Sequence, residues 1–554
     1  MSADSYDVVV LGSGAAGLTA AFTAAHEGAR VAVFEKHERI GGTTSWSGGH
    51  VWIPCNPHMA AIGADDDPEE AVAYLTALGR GLVEVELVRA FVDAGPAMAR
   101  YLEEQGGLEF FAVPGLPDYH PEQRGGLPGG GRTMGTELFA FDRLGEWKDR
   151  VESSPYYSYD LRMDETSIGA AVPKPPSPEE LERRRAASER GMGHGLIGML
   201  LLACLGEGMT IETSSPAVDL LVEDGRVAGV EIAAPDGPRQ VRAERGVILA
   251  TGGFEWNPEY RAAFLRGEVH RPASIPTNTG DGLRMAMKAG AALQNMREAW
   301  WIPIADLPAG VNGMDLEMVN ADRTRRRSIM VNGRGRRFTN EAAPYNAVVG
   351  AFHQEDPTAC EYANSPVFVI IDHENLAKYG SIGRAYAGET HPWLVEAPTL
   401  AALAERIGIP AAELERTVAR WNENVAAGVD PDFGRGASVH DRWWGDPFEK
   451  GAVTGTLGPI DTPPYYALEL KPGTIGTKGG PKVDARARVV DLDGTPIPGL
   501  YAAGNVSSPT GAAYGGPGGT LGPAMTFGWL AGRDAALKGR SETPRPRSLP
   551  GRSP

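Results

Sequence analysis

The stretch that decides the fold is DVVVLGSGAAGLTAAFTAAH, at residues 7–26. Its first five residues form an apolar run typical of a buried strand, the next six are rich in glycine, and residues 18–26 favour a helix. A second strand is predicted at residues 30–35, where Val31 and Val33 alternate with other residues. Strand, turn, helix and strand form a βαβ unit, which predicts a parallel sheet and an α/β fold.

The turn has the spacing G-x-G-x-x-G that is typical of dinucleotide sites. Glycines permit the tight turn, the close approach of a pyrophosphate and close helix packing, and the helix N-terminus then faces the phosphates. Glu35, at the end of the second strand, is placed to accept hydrogen bonds from an adenosine ribose. The pattern does not separate NAD from FAD. It predicts a dinucleotide site built from Gly12, Gly14, Ala15, Ala16 and Gly17.

Composition limits the class of protein. A chain of 554 residues, 42% of them hydrophobic, is expected to form two domains. With 53 basic and 71 acidic side chains, the net charge of −18 argues against nucleic acid and anionic membrane surfaces as partners. Three cysteines without metal-ligand spacing, and an N-terminus without a signal-peptide pattern, indicate a cytoplasmic protein with no metal site. The apolar stretch 196–205 is too short to span a bilayer and predicts a buried helix.

Segments farther along the chain separate the two cofactors. GGTTS at 41–45 and SGG at 47–49 follow the acidic residue, and together they resemble the fumarate reductase and ketosteroid dehydrogenase group of flavoproteins. In that group such a loop runs along the pyrophosphate to the isoalloxazine ring. ATGGFE at 250–255, TGDG at 279–282 and GLYAAGN at 499–505 match the same group in the same order. The resemblance therefore implies FAD as the cofactor.

The resemblance also implies how the chain is divided. We predict a Rossmann-like FAD-binding domain from residues 1–290 and 470–540, an inserted α+β catalytic domain from 291–469 that caps the substrate, and a disordered tail at 541–554. Besides the glycine turn and Glu35, the implied FAD contacts are Lys36, Gly41, Gly42, Thr43, Thr44, Ser47, Gly48, Gly49, Ala217, Val218, Ala250, Thr251, Gly252, Gly253, Asp281, Gly504, Asn505, Gly519, Leu521, Gly522 and Ala524.

The C-terminal part carries the closest resemblance. YGGPGGTLGPAMTFG at 514–528, with PGTIGTKGG at 472–480, resembles the 3-ketosteroid Δ1-dehydrogenases, and the likeness covers nearly the whole chain. In that family a tyrosine hydroxyl and the backbone N–H four residues later hold the C3 carbonyl oxygen. The matching positions are Tyr514 and Gly518, which implies an oxyanion hole for an enolate. A helix beginning near Pro523 would direct its positive end at the flavin edge that becomes negative on reduction.

Two further segments supply the implied base. VNGRGRRFTNEAAPY at 331–345 ends at the family's proton-abstracting tyrosine, here Tyr345. PDYHP at 117–121 resembles a family segment in which a tyrosine hydrogen-bonds to that base. Tyr119 is the better match, but His120 replaces a second tyrosine, so either can contact the base. Free tyrosine has a pKa of about 10 and is only about 0.1% phenolate at neutral pH. We expect a hydrogen bond from Tyr119 to lower the pKa of Tyr345.

The resemblance implies 1,2-desaturation of 3-ketosteroids in steroid catabolism, by an oxidoreductase acting on CH–CH groups. Tyr345 removes the C2 proton, Tyr514 and Gly518 stabilise the enolate, and the C1 hydride passes to flavin N5. The electron acceptor is unknown, a quinone or an artificial dye. The alternatives are a Δ4-dehydrogenase, a desaturase of a bile acid or sterol 3-ketone, and a fumarate-reductase-like enzyme. The last is disfavoured because fumarate reductases carry an arginine where Tyr345 stands.

Weaker expectations concern the substrate pocket and isolated polar residues. Arginines at positions 323–327 are expected to form a paired or solvated face, and His194 and Cys55 to be structural. His50 stands beside the flavin loop where the family usually carries glycine, so it is a candidate for shaping the substrate site. The expected aromatic wall residues are Phe111, Trp300, Trp301 and Phe338.

Overall fold

The computed structural model describes residues 4–170, 172–234, 237–311, 313–380 and 392–537. The predicted tail at 541–554 lies outside these residues. The predicted βαβ unit is confirmed as strand Asp4–Leu11, helix Ala15–His26 and strand Val31–Phe34. The two strands pair in parallel, with Val8 opposite Val31. All four residues of the second strand are buried, as in a sheet covered on both faces.

The first large sheet has eight strands among the described residues. Its central strands are parallel, and the first strand lies between the second strand and Arg239–Leu249. A hairpin turning at Asp224 and Gly225 pairs with Arg239–Leu249. The strands, in spatial order with the hairpin last, are Arg488–Val490, Pro496–Ala502, Arg239–Leu249, Asp4–Leu11, Val31–Phe34, Thr210–Glu212, Arg226–Ile232 and Ala217–Glu223.

The second large sheet has seven strands among the described residues, and a long strand, Tyr465–Thr477, organises it. That strand crosses the predicted domain boundary at residue 470. The division into two domains stays a prediction. The strands of this sheet are Arg271–Pro272, Ala299–Asp306, Leu316–Met318, Ser328–Asn332, Val367–Asp372, Val395–Ala397 and Tyr465–Thr477.

Smaller sheets connect the loops around the two large ones. A three-stranded sheet contains Val51–Trp52, Phe110–Pro114 and Gly130–Thr136. Three two-stranded sheets within the described part of the chain pair Phe139–Ala140 with Glu189–Arg190, Leu293–Gln294 with Gly480–Pro481, and Glu355–Asp356 with Glu361–Tyr362.

The first and last helices pack closely because glycines let their backbones approach. A Cβ at Gly528 would lie 2.5 Å from the Ala16 carbonyl oxygen, and one at Gly532 2.3 Å from that of Ala20. The α-helices are Ala15–His26, Gly42–Trp46, Pro68–Gly79, Val85–Gly106, Pro178–Ala186, Met192–Gly206, Pro258–Phe264, Asp281–Lys288, Tyr345–Phe352, His373–Tyr379, Leu400–Ile407, Ala411–Ala426, Val439–Trp444 and Leu521–Leu537.

Helix Met192–Gly206 confirms the predicted buried helix, since most of its residues are buried. The last helix begins at Leu521, two residues before the predicted start. Among the described residues, no helix has the length and apolarity needed to cross a membrane.

Candidate active site

A cavity of about 430 Å³ connects the glycine turn to a cluster of three tyrosines. Its wall includes Gly12 and Glu35 at one end and Tyr119, Tyr345 and Tyr514 at the other. Residues from both large sheets and from the C-terminal loop therefore border one space.

At the first end, the turn leaves no room for a side chain at its first and last glycines, Gly12 and Gly17. Gly12 has a φ of +102°, and a Cβ there would lie 2.4 Å from the carbonyl oxygen of Ala250. A Cβ at Gly17 would lie 2.0 Å from the carbonyl oxygen of Gly12. The glycines are thus required by the turn itself, before any ligand is considered.

Glu35 fastens the turn to the second strand. Its Oε2 accepts hydrogen bonds from the Ser13 backbone N–H at 2.9 Å and from Ser13 Oγ at 2.6 Å, and its Oε1 accepts one from His37 N at 2.7 Å. The carboxylate is buried but borders the cavity. It can therefore hold the turn and still present an oxygen to a ribose.

The middle of the cavity is held by side chains that connect distant segments. Lys36 donates to Asp281 at 2.8 Å and to Thr279 Oγ1 at 2.6 Å. Asn278 Nδ2 donates to Thr43 Oγ1 at 3.0 Å, which ties the loop at 41–49 to the segment at 277–282. Sequence reasoning missed Asn278, although it directly precedes the TGDG segment and borders the cavity.

Most predicted cofactor contacts border this cavity. Six do not: Gly17, Gly41, Val218, Gly253, Gly519 and Gly522. Several of the six pack against protein instead, and Gly522 faces the Trp52 carbonyl oxygen. The predicted contacts that do border it are Gly12, Gly14, Ala15, Ala16, Glu35, Lys36, Gly42, Thr43, Thr44, Ser47, Gly48, Gly49, Ala217, Ala250, Thr251, Gly252, Asp281, Gly504, Asn505, Leu521 and Ala524.

The three predicted tyrosines come from distant segments and meet at the other end. The ring centroid of Tyr119 lies 4.9 Å from that of Tyr514 and 5.7 Å from that of Tyr345. The hydroxyls of Tyr345 and Tyr514 are hydrogen-bonded to each other. Tyr345 is the first residue of the helix Tyr345–Phe352, and Pro344 directly precedes it.

Tyr119, and not His120, contacts Tyr345. The Tyr119 ring packs edge-on against that of Tyr345, with 5.7 Å between centroids, and hydrogen bonding from Tyr119 lowers the pKa of Tyr345. The backbone N–H of Tyr119 donates to the Gly515 carbonyl oxygen at 2.9 Å, which anchors it beside Tyr514. His120 does not border the cavity, and burial lowers its pKa to about 4, so it is neutral. The choice that the sequence left open is decided by this packing.

The pKa values of the tyrosines reflect their burial. Burial raises the pKa of Tyr345 well above its ordinary value, and the neighbouring Tyr514 adds to the rise. The hydrogen bond from Tyr119 lowers the pKa of Tyr345, as predicted, but burial outweighs it. Burial also raises the pKa of Tyr514, while hydrogen bonds from Tyr345 and Thr520 oppose this rise. The phenols alone therefore do not stabilise a negative charge.

Gly518 presents its backbone to the same end of the cavity. Its φ is +95°, and a Cβ there would lie 2.7 Å from the His50 carbonyl carbon. Its carbonyl oxygen accepts a hydrogen bond from Trp52 N at 3.1 Å, whereas no described residue accepts one from its N–H. This N–H and the Tyr514 hydroxyl can act as two donors to one oxygen.

The expected aromatic walls are not where the sequence suggested. Phe111, Trp300, Trp301 and Phe338 do not border the cavity. Trp300 packs behind Tyr514, with 4.7 Å between ring centroids, and Trp301 belongs to the core of the second sheet. Sequence reasoning missed other wall residues because they belong to no recognisable motif. They lie in the irregular segment at 156–168, at the end of strand Leu316–Met318 and at the end of helix Val439–Trp444: Tyr156, Tyr157, Met163, Ile168, Met318 and Trp444.

The isolated polar residues fall into two groups. His50 borders the cavity, and burial lowers its pKa to about 4. Arg325 also borders it and pairs with Asp322 at 3.0 Å. His194 is structural, since it stacks on Phe141 with 4.5 Å between ring centroids. The arginine cluster is mainly paired, as predicted, because Arg327 binds the buried Asp372.

Known proteins resemble this chain over nearly its whole length. The family described as "FAD binding domain" matches residues 7–521. The 4-oxocyclohexanecarboxylate 2-dehydrogenase of Sinomonas cyclohexanicum is 39% identical over 540 residues, covering 96% of this chain and 93% of that protein. The 3-oxosteroid 1-dehydrogenase of Mycobacterium tuberculosis is 39% identical over 566 residues, covering 96% and 98%.

A solved structure shares the fold. The 3-ketosteroid delta1-dehydrogenase from Sterolibacterium denitrificans, in complex with 1,4-androstadiene-3,17-dione, superposes with a TM-score of 0.88 at 34% identity. The match covers 96% of this chain and 100% of that one.

Proposed function

Because this chain belongs to the FAD binding domain family, we propose that it uses FAD to introduce a carbon–carbon double bond beside the carbonyl of a cyclic ketone. The protein is an oxidoreductase acting on CH–CH groups, and the reaction we propose for it is the 1,2-desaturation of 3-ketosteroids, for which relatives are named. The observation that carries the proposal is the cluster of Tyr119, Tyr345 and Tyr514 at the end of the dinucleotide cavity.

The residues along the cavity fit FAD. Gly12 and Gly14 border the cavity with backbone alone, and Glu35 offers a carboxylate oxygen beside them. The helix Leu521–Leu537 begins at the cavity, where its N-terminal positive end favours negative charge. When bound, FAD supplies the acceptor for the hydride that leaves the substrate.

The tyrosine cluster supports the following roles. Tyr345, as phenolate, takes the proton at C2 of the ketone, and Tyr119 donates a hydrogen bond to that phenolate. The Tyr514 hydroxyl and the Gly518 N–H hold the carbonyl oxygen as it becomes an enolate oxygen. A positioned base contributes roughly 10²–10⁴ in rate, and each oxyanion donor about 10²–10³. Together these groups make deprotonation of carbon feasible.

A second candidate substrate is a cyclohexanone that carries a carboxylate. Arg325 on the cavity wall favours it, because a guanidinium binds carboxylates, although Asp322 already occupies part of this group. A relative at 39% identity is named for such a substrate. Both candidates need the same chemistry at the ketone. They differ only in the group at the far end.

A substrate panel tests the proposal. The purified yellow protein is mixed anaerobically with a 4-ene-3-ketosteroid, a saturated 3-ketosteroid, 4-oxocyclohexanecarboxylate and fumarate, and the flavin absorbance and products are followed. We expect bleaching by the 3-ketosteroids and a 1-ene product. Bleaching by the carboxylate alone would favour the second candidate, and a 4-ene product would indicate a Δ4-dehydrogenase. Reoxidation of the reduced protein by fumarate, without steroid oxidation, would contradict the proposal.

The same protein identifies the electron acceptor. After bleaching by substrate, a quinone or an artificial dye is added and the return of the yellow colour is timed. We propose that a quinone reoxidises the flavin. A quinone that reacts no faster than buffer alone would contradict this part.

A further inference from the structure

Behind the tyrosine cluster lies a buried lysine that the roles above do not use. Lys478 directly follows the strand Tyr465–Thr477 and is 2% exposed. Its ammonium nitrogen lies 4.3 Å from the ring centroid of Trp300 and 5.5 Å from that of Tyr514. Among the described residues, no carboxylate lies within 4.0 Å of it. Lysines are almost never fully buried without a partner, so this one needs an explanation.

The surroundings hold the lysine against the aromatic rings. Its backbone N–H donates to the Glu298 carbonyl oxygen at 2.9 Å. Trp300 is fixed in turn, since its Nε1 donates to Asn505 Oδ1 at 3.1 Å. Its ring packs on Tyr514, with 4.7 Å between centroids. Lysine, tryptophan and tyrosine therefore form a stack behind the oxyanion site.

We propose that Lys478 is a positioning residue for the reaction, whose ammonium group acts through Tyr514 and makes that hydroxyl a stronger donor to the enolate oxygen. A cation over an aromatic face is attracted by the ring, and inside a protein its field is weakly screened. Positive charge near Tyr514 stabilises the negative charge that develops on the oxygen which Tyr514 holds. The inference rests on the proposed function. The Lys478 ammonium group supplies the positive charge that the buried phenols lack.

The charge of this lysine changes near neutral pH. Burial lowers the pKa of Lys478 to about 7, so it is charged below that pH and neutral above it. Three charged side chains act on it from neighbouring elements: Glu298 raises the pKa, whereas Arg266 and Arg80 lower it. Tyr514 faces it as a neutral phenol. The stabilising effect is therefore expected below about pH 7 and is lost as the pH rises through that value.

Two variants separate charge from shape, and a third serves as a control. Lys478→Met keeps the length but removes the charge, and Lys478→Arg keeps the charge at high pH. Lys471→Met removes a lysine of the same strand that pairs with Asp306 at 2.9 Å and does not border the cavity. All three are purified with FAD, and flavin reduction by a 4-ene-3-ketosteroid is timed anaerobically across the pH range.

We expect Lys478→Met to be about tenfold slower than the wild type near pH 6, which corresponds to one pKa unit of stabilisation. The difference should vanish above about pH 8, where the wild-type lysine is neutral. Lys478→Arg should stay fast at both pH values, and Lys471→Met should match the wild type throughout. A ratio near one at every pH, or an equal loss at every pH, overturns the inference.

An enolate analogue gives a readout that does not depend on turnover. A steroid with a phenolic A ring that carries nitro groups, so that it ionises below pH 7 where Lys478 is charged, places its C3 hydroxyl at Tyr514 and Gly518. Its phenolate is followed by absorbance. We expect the bound phenol to ionise about one pKa unit higher in Lys478→Met than in the wild type. An unchanged value overturns the inference. If the wild type neither binds this analogue nor oxidises 3-ketosteroids, the proposed function fails instead.

Thermal stability distinguishes the proposed positioning role of Lys478 from a purely structural role. The pKa of Lys478 in the folded protein lies below its ordinary value of 10.5, so the unfolded chain binds the proton more tightly. Stability is therefore lost as the pH falls from about 10 towards 7, and the full penalty remains below 7. Lys478→Met removes this penalty, so its Tm near pH 6 should equal or exceed that of the wild type. A markedly lower Tm contradicts the inference.

Discussion

The two ends of the cavity are built in opposite ways. At the dinucleotide end, the turn at residues 12–17 is a contiguous stretch whose backbone forms the wall, and added side chains would collide with it. At the reaction end, Tyr119, Tyr345 and Tyr514 are separated by more than a hundred residues each and meet through packing. Substitution should therefore damage binding and stability at the first end. At the second end it should damage chemistry alone.

The largest expected effect is at the reaction end. Tyr345→Phe removes the proposed base but only one hydroxyl from a packed ring, so FAD and steroid should still bind. Flavin reduction by a 3-ketosteroid should slow by roughly 10²–10⁴. Anaerobic stopped-flow measurement gives the rate, and the ratio of flavin to protein absorbance checks FAD content. Near-normal flavin reduction would show that Tyr345 is not the base. Loss of FAD would show that a substitution at the reaction end also damages cofactor binding.

A smaller effect of the opposite kind is expected at the dinucleotide end. Gly12→Ala places a Cβ 2.4 Å from the Ala250 carbonyl oxygen at a φ of +102°. Such strain costs about 1–3 kcal/mol, so FAD affinity and stability should both fall. Flavin content after gel filtration and the Tm measure this. Gly206→Ala is the control, since a Cβ there meets nothing within 4 Å. If Gly12→Ala retained full FAD content and an unchanged Tm, the backbone argument would be wrong.

The smallest effect tests the hydrogen bond within the cluster. Tyr119→Phe removes a donor that lowers the pKa of Tyr345, so that pKa should rise further. About one unit corresponds to a tenfold lower fraction of phenolate. The pH at which flavin reduction reaches half its maximum should therefore move upward by about one unit. His120→Phe, which alters a side chain off the cavity wall, should leave the profile in place. If the pH profile of flavin reduction did not move in Tyr119→Phe, the contact between Tyr119 and Tyr345 would have no effect on catalysis.

Sequence reasoning succeeded for features that are formed by one short, contiguous stretch of the chain. The βαβ unit and the buried helix agree with their predictions because local periodicity and turn residues decide them. The tyrosines were chosen through a family resemblance, and the structure brings them together, although their roles stay predictions. Helix and strand ends moved by a few residues, as with the last helix, which begins at Leu521.

The sequence-based predictions were wrong for side chains whose neighbours come from distant parts of the chain. Trp300 and Trp301 are aromatic and close to the site in sequence, yet the first supports Tyr514 from behind and the second packs into the other sheet. In the sequence, Lys478 is one residue of the glycine-rich segment at 472–480, and nothing there indicates a role for it. Its burial against two rings is visible only after folding.

The sequence by itself determined the parallel sheet and the glycine turn, because each depends on short runs whose backbone geometry is set by residue type. The type of cofactor was implied by the resemblance of several segments to a family of flavoproteins. Only the tertiary structure decided that Tyr119 and not His120 touches Tyr345, which residues line the substrate side, and where an unpaired cation lies. Side-chain contacts between distant segments depend on how two sheets and several loops pack. Burial, which sets the pKa values there, is a property of that packing and not of any local stretch.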